Sequence, residues 1–308
     1  MFLSTQVQLY KFYANGYRKD GYDECIVFGY PYLYRSKTKA MSVHIAVDLG
    51  NSTCVLAGFD AVGQRTIAHF ATPDILAGKV TWEKMVRSVL NDRAAKEGEV
   101  IISSVHPKAL EVLLTQLHRQ NVHVVLLDSR TYSCLPIDVL NPEEIGADLV
   151  ASALYAYELE KTHWLIVGMG TALTFTLLDA TGAIRGVNIA PGAIMALDIL
   201  ASRTALLPMV TLEETTHRFG RHTREAIING VIGGIIGSVQ FHYHEARAEL
   251  GTAPQMLLTG GYADFFSPRI DLPHRIEQYA VIGGLIHAYR YIRHHTCGAK
   301  RRRLERAK

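Results

Sequence analysis

The sequence predicts an α/β protein made of two similar domains, and two observations carry that prediction. From Met41 onward, apolar runs of strand length alternate with amphipathic stretches of helix length, the pattern of strands and helices packed in layers. The second observation is an internal repeat. The segment Val47-Asp48-Leu49-Gly50-Asn51-Ser52-Thr53, followed by Asp60-Ala61-Val62-Gly63, has a partner in Val167-Gly168-Met169-Gly170-Thr171-Ala172-Leu173, followed by Asp179-Ala180-Thr181-Gly182. The offset is 120 from Val47 to Val167 and 119 from Asp60 to Asp179, so one deletion aligns the copies. Each copy reads strand, Gly-containing turn, strand, Asp-x-x-Gly turn, strand. That is a β-meander with turn residues where a left-handed backbone or a side-chain-stabilised bend is needed, and two similar domains facing each other follow from it.

The elements follow in order. Residues 1–40 hold seven of the fifteen tyrosines among Gly, Lys and Arg, without usable periodicity, and read as an N-terminal extension; Met41 directly before the first strand suggests an upstream start codon assigned in error. The first domain, 41–145, has strands expected at 43–48, 54–59, 66–70, 100–103 and 123–127, with helices at 81–96 and 107–120. The second, 146–292, has strands at 164–168, 173–178, 184–189 and 256–259, with helices at 147–161, 193–202, 223–249 and 276–293; Thr223 and Glu225 mark the start of the long one. A basic tail, 293–308, closes the chain.

Composition narrows the classes. The chain has 308 residues, 48% hydrophobic and 20% charged, which excludes disorder as the main state and gives each domain enough apolar material for a core. The net charge of +3 is a sum of unlike parts: residues 1–40 carry six Lys/Arg against three Asp/Glu, residues 293–308 seven against one, and the body about −6. An acidic body gives no argument for a nucleic-acid partner. Cys25, Cys54, Cys134 and Cys297 show neither disulfide nor zinc spacing. No apolar run approaches the roughly 18 residues that cross a bilayer and no signal peptide precedes the first strand, so a cytoplasmic protein without a membrane partner is expected.

Several residues can do chemistry. Gly50-Asn51-Ser52-Thr53 combines close backbone approach with hydroxyl, amide and N–H donors suited to phosphate oxygens, and Asp48 at the preceding strand end can hold a hydrated divalent cation against them. A plain hairpin turn wants the same residues. Gly170-Thr171 in the second copy strengthens the phosphate reading, because two facing turns can clamp the ends of a triphosphate, and Thr259-Gly260-Gly261 adds a turn suited to a flat nucleoside. Asp148, in Gly146-Ala147-Asp148-Leu149, is either a helix N-terminal carboxylate favoured by the dipole or a general base. His242 and His244 are too close in sequence to share a helix face, and His294, His295 and Cys297 lack a fourth ligand, so no metal cluster is expected.

In chain order, Asp48-Leu49-Gly50-Asn51-Ser52-Thr53, Ile102-Ser103-Ser104-Val105-His106-Pro107, Asn141-Pro142-Glu143-Glu144-Ile145-Gly146-Ala147-Asp148, Gly170-Thr171-Ala172-Leu173-Thr174-Phe175, Ile189-Ala190-Pro191-Gly192, Arg203-Thr204-Ala205-Leu206-Leu207-Pro208, Gly220-Arg221-His222-Thr223 and Thr259-Gly260-Gly261 resemble the type III pantothenate kinases, over about Ser42 to Ile292. The resemblance implies two duplicated ribonuclease-H-like domains of the actin-like ATPase superfamily with a cleft between them, and ATP-dependent phosphorylation of pantothenate to 4′-phosphopantothenate, the first step of coenzyme A synthesis. By resemblance, Asp48, Leu49, Gly50, Asn51, Ser52, Thr53, Cys54 and Val55 form the ATP phosphate loop with Mg²⁺, and Thr171 touches the nucleotide from the second copy. Asp148 activates the pantothenate hydroxyl, and Gly146, Ala147, Asp148, Leu149 and Thr223 line the pantothenate pocket, closed by a homodimer partner. Three positions depart from the family. Gly168 replaces an Asp that helps bind a monovalent cation, K⁺ or NH₄⁺; Leu149 replaces an Arg; Val139 replaces an aromatic residue. Two alternatives therefore stay open: a catalytically weakened nucleotide-binding homologue with a regulatory role, or a kinase of this fold for another small hydroxyl substrate.

Overall fold

The computed structural model describes residues 43–59, 65–90 and 99–306. The expected extension 1–40, the Asp60–Gly63 turn and the end of the helix expected over 81–96 lie outside the described residues. Two compact units divide between Leu126 and Leu127.

In the first unit β1 (Val43–Leu49), β2 (Thr53–Phe59) and β3 (Arg65–Ala71) make the expected meander. Two short helices follow, α1 (Thr72–Leu76) and α2 (Trp82–Arg87), then β4 (Glu99–Ser104), α3 (Pro107–Arg119) and β5 (His123–Leu126). The sheet order is β3-β2-β1-β4-β5, antiparallel through the meander and parallel from β1 to β5. Alternate residues Ile45, Val47 and Leu49 point into a core with Leu56, Phe70, Met85 and Leu113, as the period of two requires. The Ser104-Val105-His106-Pro107 stretch is a helix start: Ser104 Oγ accepts the His106 N–H (3.1 Å), His106 Nδ1 accepts the Ala109 N–H (3.3 Å), and Pro107 opens α3, where no N–H is needed.

The second unit contains α4 (Ala147–Leu159), the meander β6 (Trp164–Met169), β7 (Ala172–Leu178) and β8 (Ile184–Pro191), then α5 (Ala193–Arg203) and α6 (Thr223–Leu250). It ends with β9 (Gln255–Thr259), α7 (Ala263–Phe266), β10 (Arg275–Ile276) and α8 (Ala280–Arg306). Its order, β10-β9-β6-β7-β8, repeats that of the first unit with the same strand senses. Both sheets are ribonuclease-H-like, and the duplication read from the sequence is a duplication of fold. One sheet face packs Leu165, Val167 and Phe175 against α5, α6 and α7; on the other, where Trp164 and Ile166 are buried, lies α4. α4 is apolar all round because α8 covers its outer side. The two helices cross so closely that a Cβ on Gly284 would collide with the Ala151 carbonyl.

Three expectations need correction. The boundary lies at Leu126 rather than after residue 145, because the intervening segment joins the second sheet: the Asp138 N–H donates to Gly182 O and Asp138 O accepts from the Ile184 N–H, both at 2.9 Å. The helix expected over 276–293 starts at Ala280 and runs to Arg306, through the stretch expected as a separate basic tail; Lys and Arg are good helix formers and favour a helix C-terminus. One helix among the described residues, α6, is long and apolar enough to cross a membrane by length and composition. Its Ile227, Ile228, Val231, Ile235 and Val239 pack into the core of the second unit, while Gly230, Gly233, Gly234 and Gly237 interrupt the apolar run.

Candidate active site

The two repeated turns are built alike. In the first unit the Gly50 N–H donates to Thr53 O (3.0 Å), the Thr72 N–H to Ser52 O (3.0 Å) and the Val105 N–H to Leu49 O (3.2 Å). In the second, the Gly170 N–H donates to Ala172 O (3.2 Å), the Gly192 N–H to Thr171 O (3.2 Å) and the Tyr262 N–H to Met169 O (3.1 Å). In each case the turn is held from its own hairpin, from the start of the helix after the third strand, and from the end of the fourth strand. Thr72 Oγ1 also donates to Gly50 O at 2.8 Å.

This scaffolding leaves Asn51, Ser52, Thr53 and Thr171 exposed at the turn tips. Leu49 and Cys54 are fully buried in the core; strand alternation leaves only their backbone for a ligand, and burial with the nearby Asp48 charge raises the Cys54 thiol far above its usual range. Val55 is half-buried beside Asp48 in the β1–β2 ladder. Ser103 Oγ donates to Asp48 Oδ1 at 3.0 Å, which orients the carboxylate at the strand end. Carboxylate and hydroxyl oxygens are the donors that Mg²⁺ takes, so the first turn fits that ion.

The second turn differs at the twin of Asp48. Gly168 has no carboxylate, and a Cβ there would collide with Thr174 Oγ1. The residues do not fit the family's monovalent cation. Glycine is required elsewhere around this turn: a Cβ at Gly192 would meet the Gly170 and Thr171 carbonyls, and Gly260, at φ +95°, lies against the Met169 backbone.

Asp148 is the second residue of α4, after the turn Asn141–Ile145, in which Asn141 (φ 45°) accepts the Glu144 and Ile145 N–H groups. Its Oδ1 accepts the Leu149 N–H at 2.9 Å. Burial raises the carboxyl pKa and outweighs the lowering by backbone hydrogen bonds. A carboxylate shifted toward neutrality is a better proton acceptor than an ordinary surface aspartate. Gly146 caps the helix, and Ala147 and Leu149 are buried. Thr223 sits apart from this group in the chain, exposed as the first residue of α6.

A sequence profile of the type III pantothenate kinases matches residues 44–245, which spans the first turn, Asp148, the second turn and Thr223. The chain belongs to the type III pantothenate kinase family. It is 34% identical over 258 residues to the Treponema pallidum (strain Nichols) type III pantothenate kinase, covering 80% of this chain and 94% of that one. It is 31% identical over 261 residues to that of Thermomicrobium roseum, covering 83% and 99%. A solved structure from Campylobacter jejuni, described as a Baf family transcriptional activator, superposes with a TM-score of 0.51 at 18% identity, over 80% of this chain and 97% of that one, a likeness of fold alone.

In this family member the fold brings a further titratable group, Tyr132, near Asp148. It lies in a 3₁₀ turn, Tyr132–Cys134, buried, and its phenol is raised above the usual range by burial and by the charges of Asp128, Asp148 and Glu143. Nothing local marks it; only the fold brings its ring near the Asp148 charge. Val139 is buried beside the Asp138 bridge to the second sheet.

Proposed function

We propose that this chain transfers the γ-phosphoryl group of ATP to the primary hydroxyl of pantothenate, giving 4′-phosphopantothenate and ADP, the first step of coenzyme A synthesis. The observation that carries the reading is Asp148, a desolvated carboxyl with a raised pKa at the start of α4 within the family match. As the hydroxyl oxygen bonds to the γ-phosphorus, its proton passes to the Asp148 carboxylate, and the bond from phosphorus to the β-γ bridging oxygen breaks. Such transfer rests mainly on positioning and charge neutralisation.

The tip residues Gly50, Asn51, Ser52 and Thr53 hold the phosphates through N–H and hydroxyl donors, and Thr171 contacts the nucleotide from the second unit. Mg²⁺ held by Asp48 through water would neutralise phosphate charge. Gly146, Ala147 and Leu149 shape the pantothenate site beside Asp148. Leu149 offers that site no charge, so recognition leans on N–H groups and hydroxyls. The working form is a homodimer in which Thr223 completes a pantothenate pocket. The outer side of α6, with Ala226, Gly230, Gly233 and Gly237 exposed and Phe241 59% exposed, supports that assembly. We place the protein in the cytoplasm, without a nucleic-acid or membrane partner.

Coupled ADP release with ATP, Mg²⁺ and a panel of hydroxyl acceptors tests the reading. ADP release that depends on pantothenate is expected. Turnover on another acceptor but not on pantothenate overturns it.

A further inference from the structure

The duplicated fold supplies an internal reference for Gly168. In the first unit Asp48 on β1 lies between Val55 on β2 and Ser103 on β4. In the second, Gly168 on β6 lies between Thr174 on β7 and Thr259 on β9. The first position keeps a carboxylate oriented by the Ser103 hydroxyl at 3.0 Å. The second has a threonine as the β7 neighbour, as the family motif has, and no carboxylate at 168. Thr174 Oγ1 stands close enough that the first side-chain carbon of an aspartate at 168 would meet it unless the threonine side chain turned away. The other flanking hydroxyl is committed to structure: Thr259 Oγ1 donates to Gln278 O (3.3 Å) and accepts the Ala280 N–H (3.3 Å).

A monovalent cation leaves water only where ligands replace its hydration, and an anionic ligand contributes the attraction that neutral hydroxyls lack. Position 168 offers no anionic ligand.

We propose that this chain carries out its phosphoryl transfer without a monovalent cation, because Gly168 leaves the second turn without the carboxylate that Asp48 supplies at the matched position of the first. The inference rests on the kinase reading above and adds that the second turn is an ion-free, hydroxyl-lined nucleotide contact. A divalent ion held at Asp48 would then supply the charge neutralisation.

The test uses the full-length protein stripped of monovalent ions other than the one supplied. Pantothenate-dependent ADP release is measured at constant ionic strength in potassium, ammonium, sodium and choline chloride, and Mg·ATP binding is measured by titration calorimetry in potassium and in choline. Turnover and ATP affinity within about twofold across the salts are expected, well below the tenfold step that 1.4 kcal/mol of transition-state stabilisation gives. Stimulation of about tenfold or more by potassium or ammonium overturns the proposal. Absence of turnover in every salt, with equal ATP affinity in potassium and choline, defeats the kinase reading while upholding the ion-free turn. The Gly168→Asp, Thr174→Ala double variant clears the space and restores the charge, and its ATP affinity is expected to become potassium-dependent. A folded double variant with ATP affinity indifferent to potassium overturns the assignment to position 168.

Discussion

Replacing Asp148 by Asn should move activity and stability in opposite directions. Asparagine has nearly the same shape, and its Oδ1 can still accept the Leu149 N–H that Asp148 accepts at 2.9 Å. The substitution therefore removes proton acceptance and charge while leaving the helix start intact. Positioned general bases contribute about 10²–10⁴-fold, or about 3–5 kcal/mol of barrier, so kcat should fall by that factor with little change in ATP affinity. For stability, the folded pKa is raised by burial above its ordinary 3.8. The unfolded chain therefore loses the proton first as pH rises, and ionisation at neutral pH favours the unfolded state. Stability linked to this group is full below pH 3.8 and is lost as pH rises through the raised pKa. The Asn variant should thus unfold at a higher temperature than the parent at pH 7, with the difference narrowing as pH falls. Steady-state ADP release and thermal unfolding between pH 5 and pH 8 read both effects, and the parent kcat should decline on the acid side. A variant with activity within tenfold of the parent would show that Asp148 is not the base. A variant less stable at pH 7 would show the carboxylate to be a structural helix-end group.

Other substitutions probe the scaffold around the site. Gly192→Ala places a methyl against the Gly170 and Thr171 carbonyls; overpacking of about 1–3 kcal/mol should fall on the nucleotide turn, raising KM for ATP more than KM for pantothenate in steady-state kinetics. Gly284→Ala collides with the Ala151 backbone at the α4–α8 crossing and should lower stability by at least about 1–3 kcal/mol in denaturant unfolding. Thr176, whose buried hydroxyl finds no partner, should tolerate Val with a gain of about 1 kcal/mol, seen as a higher Tm. His287 is held down to about 4 chiefly by burial, then by Arg290, even with Glu158 Oε2 3.6 Å from Nδ1. Burial and the Arg290 charge outweigh the nearby carboxylate, and the imidazole stays neutral in the fold. Its contribution is present above the unfolded value of 6.5 and lost as pH falls through about 4, amounting to about 3 kcal/mol. His287→Gln should flatten the stability profile over that window.

What could be read from the chain followed from the range over which each signal acts. The strands of both meanders were legible because alternation and turn residues are local, and the repeat states them twice. β10, at two residues, and α1 and α7, at five and four, are too short for any periodicity to register. The domain boundary was misplaced because the pairing of Asp138 with residues 182–184 spans a stretch that nothing nearby announces. The turn tips and Asp148 stand out in the sequence through repeat and resemblance together, whereas Tyr132 does not, since the electrostatic link to Asp148 is made by the fold. The same duplication also says where function has diverged. Two turns held from the same three places by backbone hydrogen bonds share one architecture, so that scaffold does not by itself account for a difference between them. Asp48 and Gly168 differ at that matched position: a carboxylate held by the Ser103 hydroxyl at the first, no side chain beside Thr174 Oγ1 at the second. Because the backbone support is shared, the asymmetry points to what each turn binds: on the proposed reading, an ion with phosphate at the first and an uncharged contact at the second.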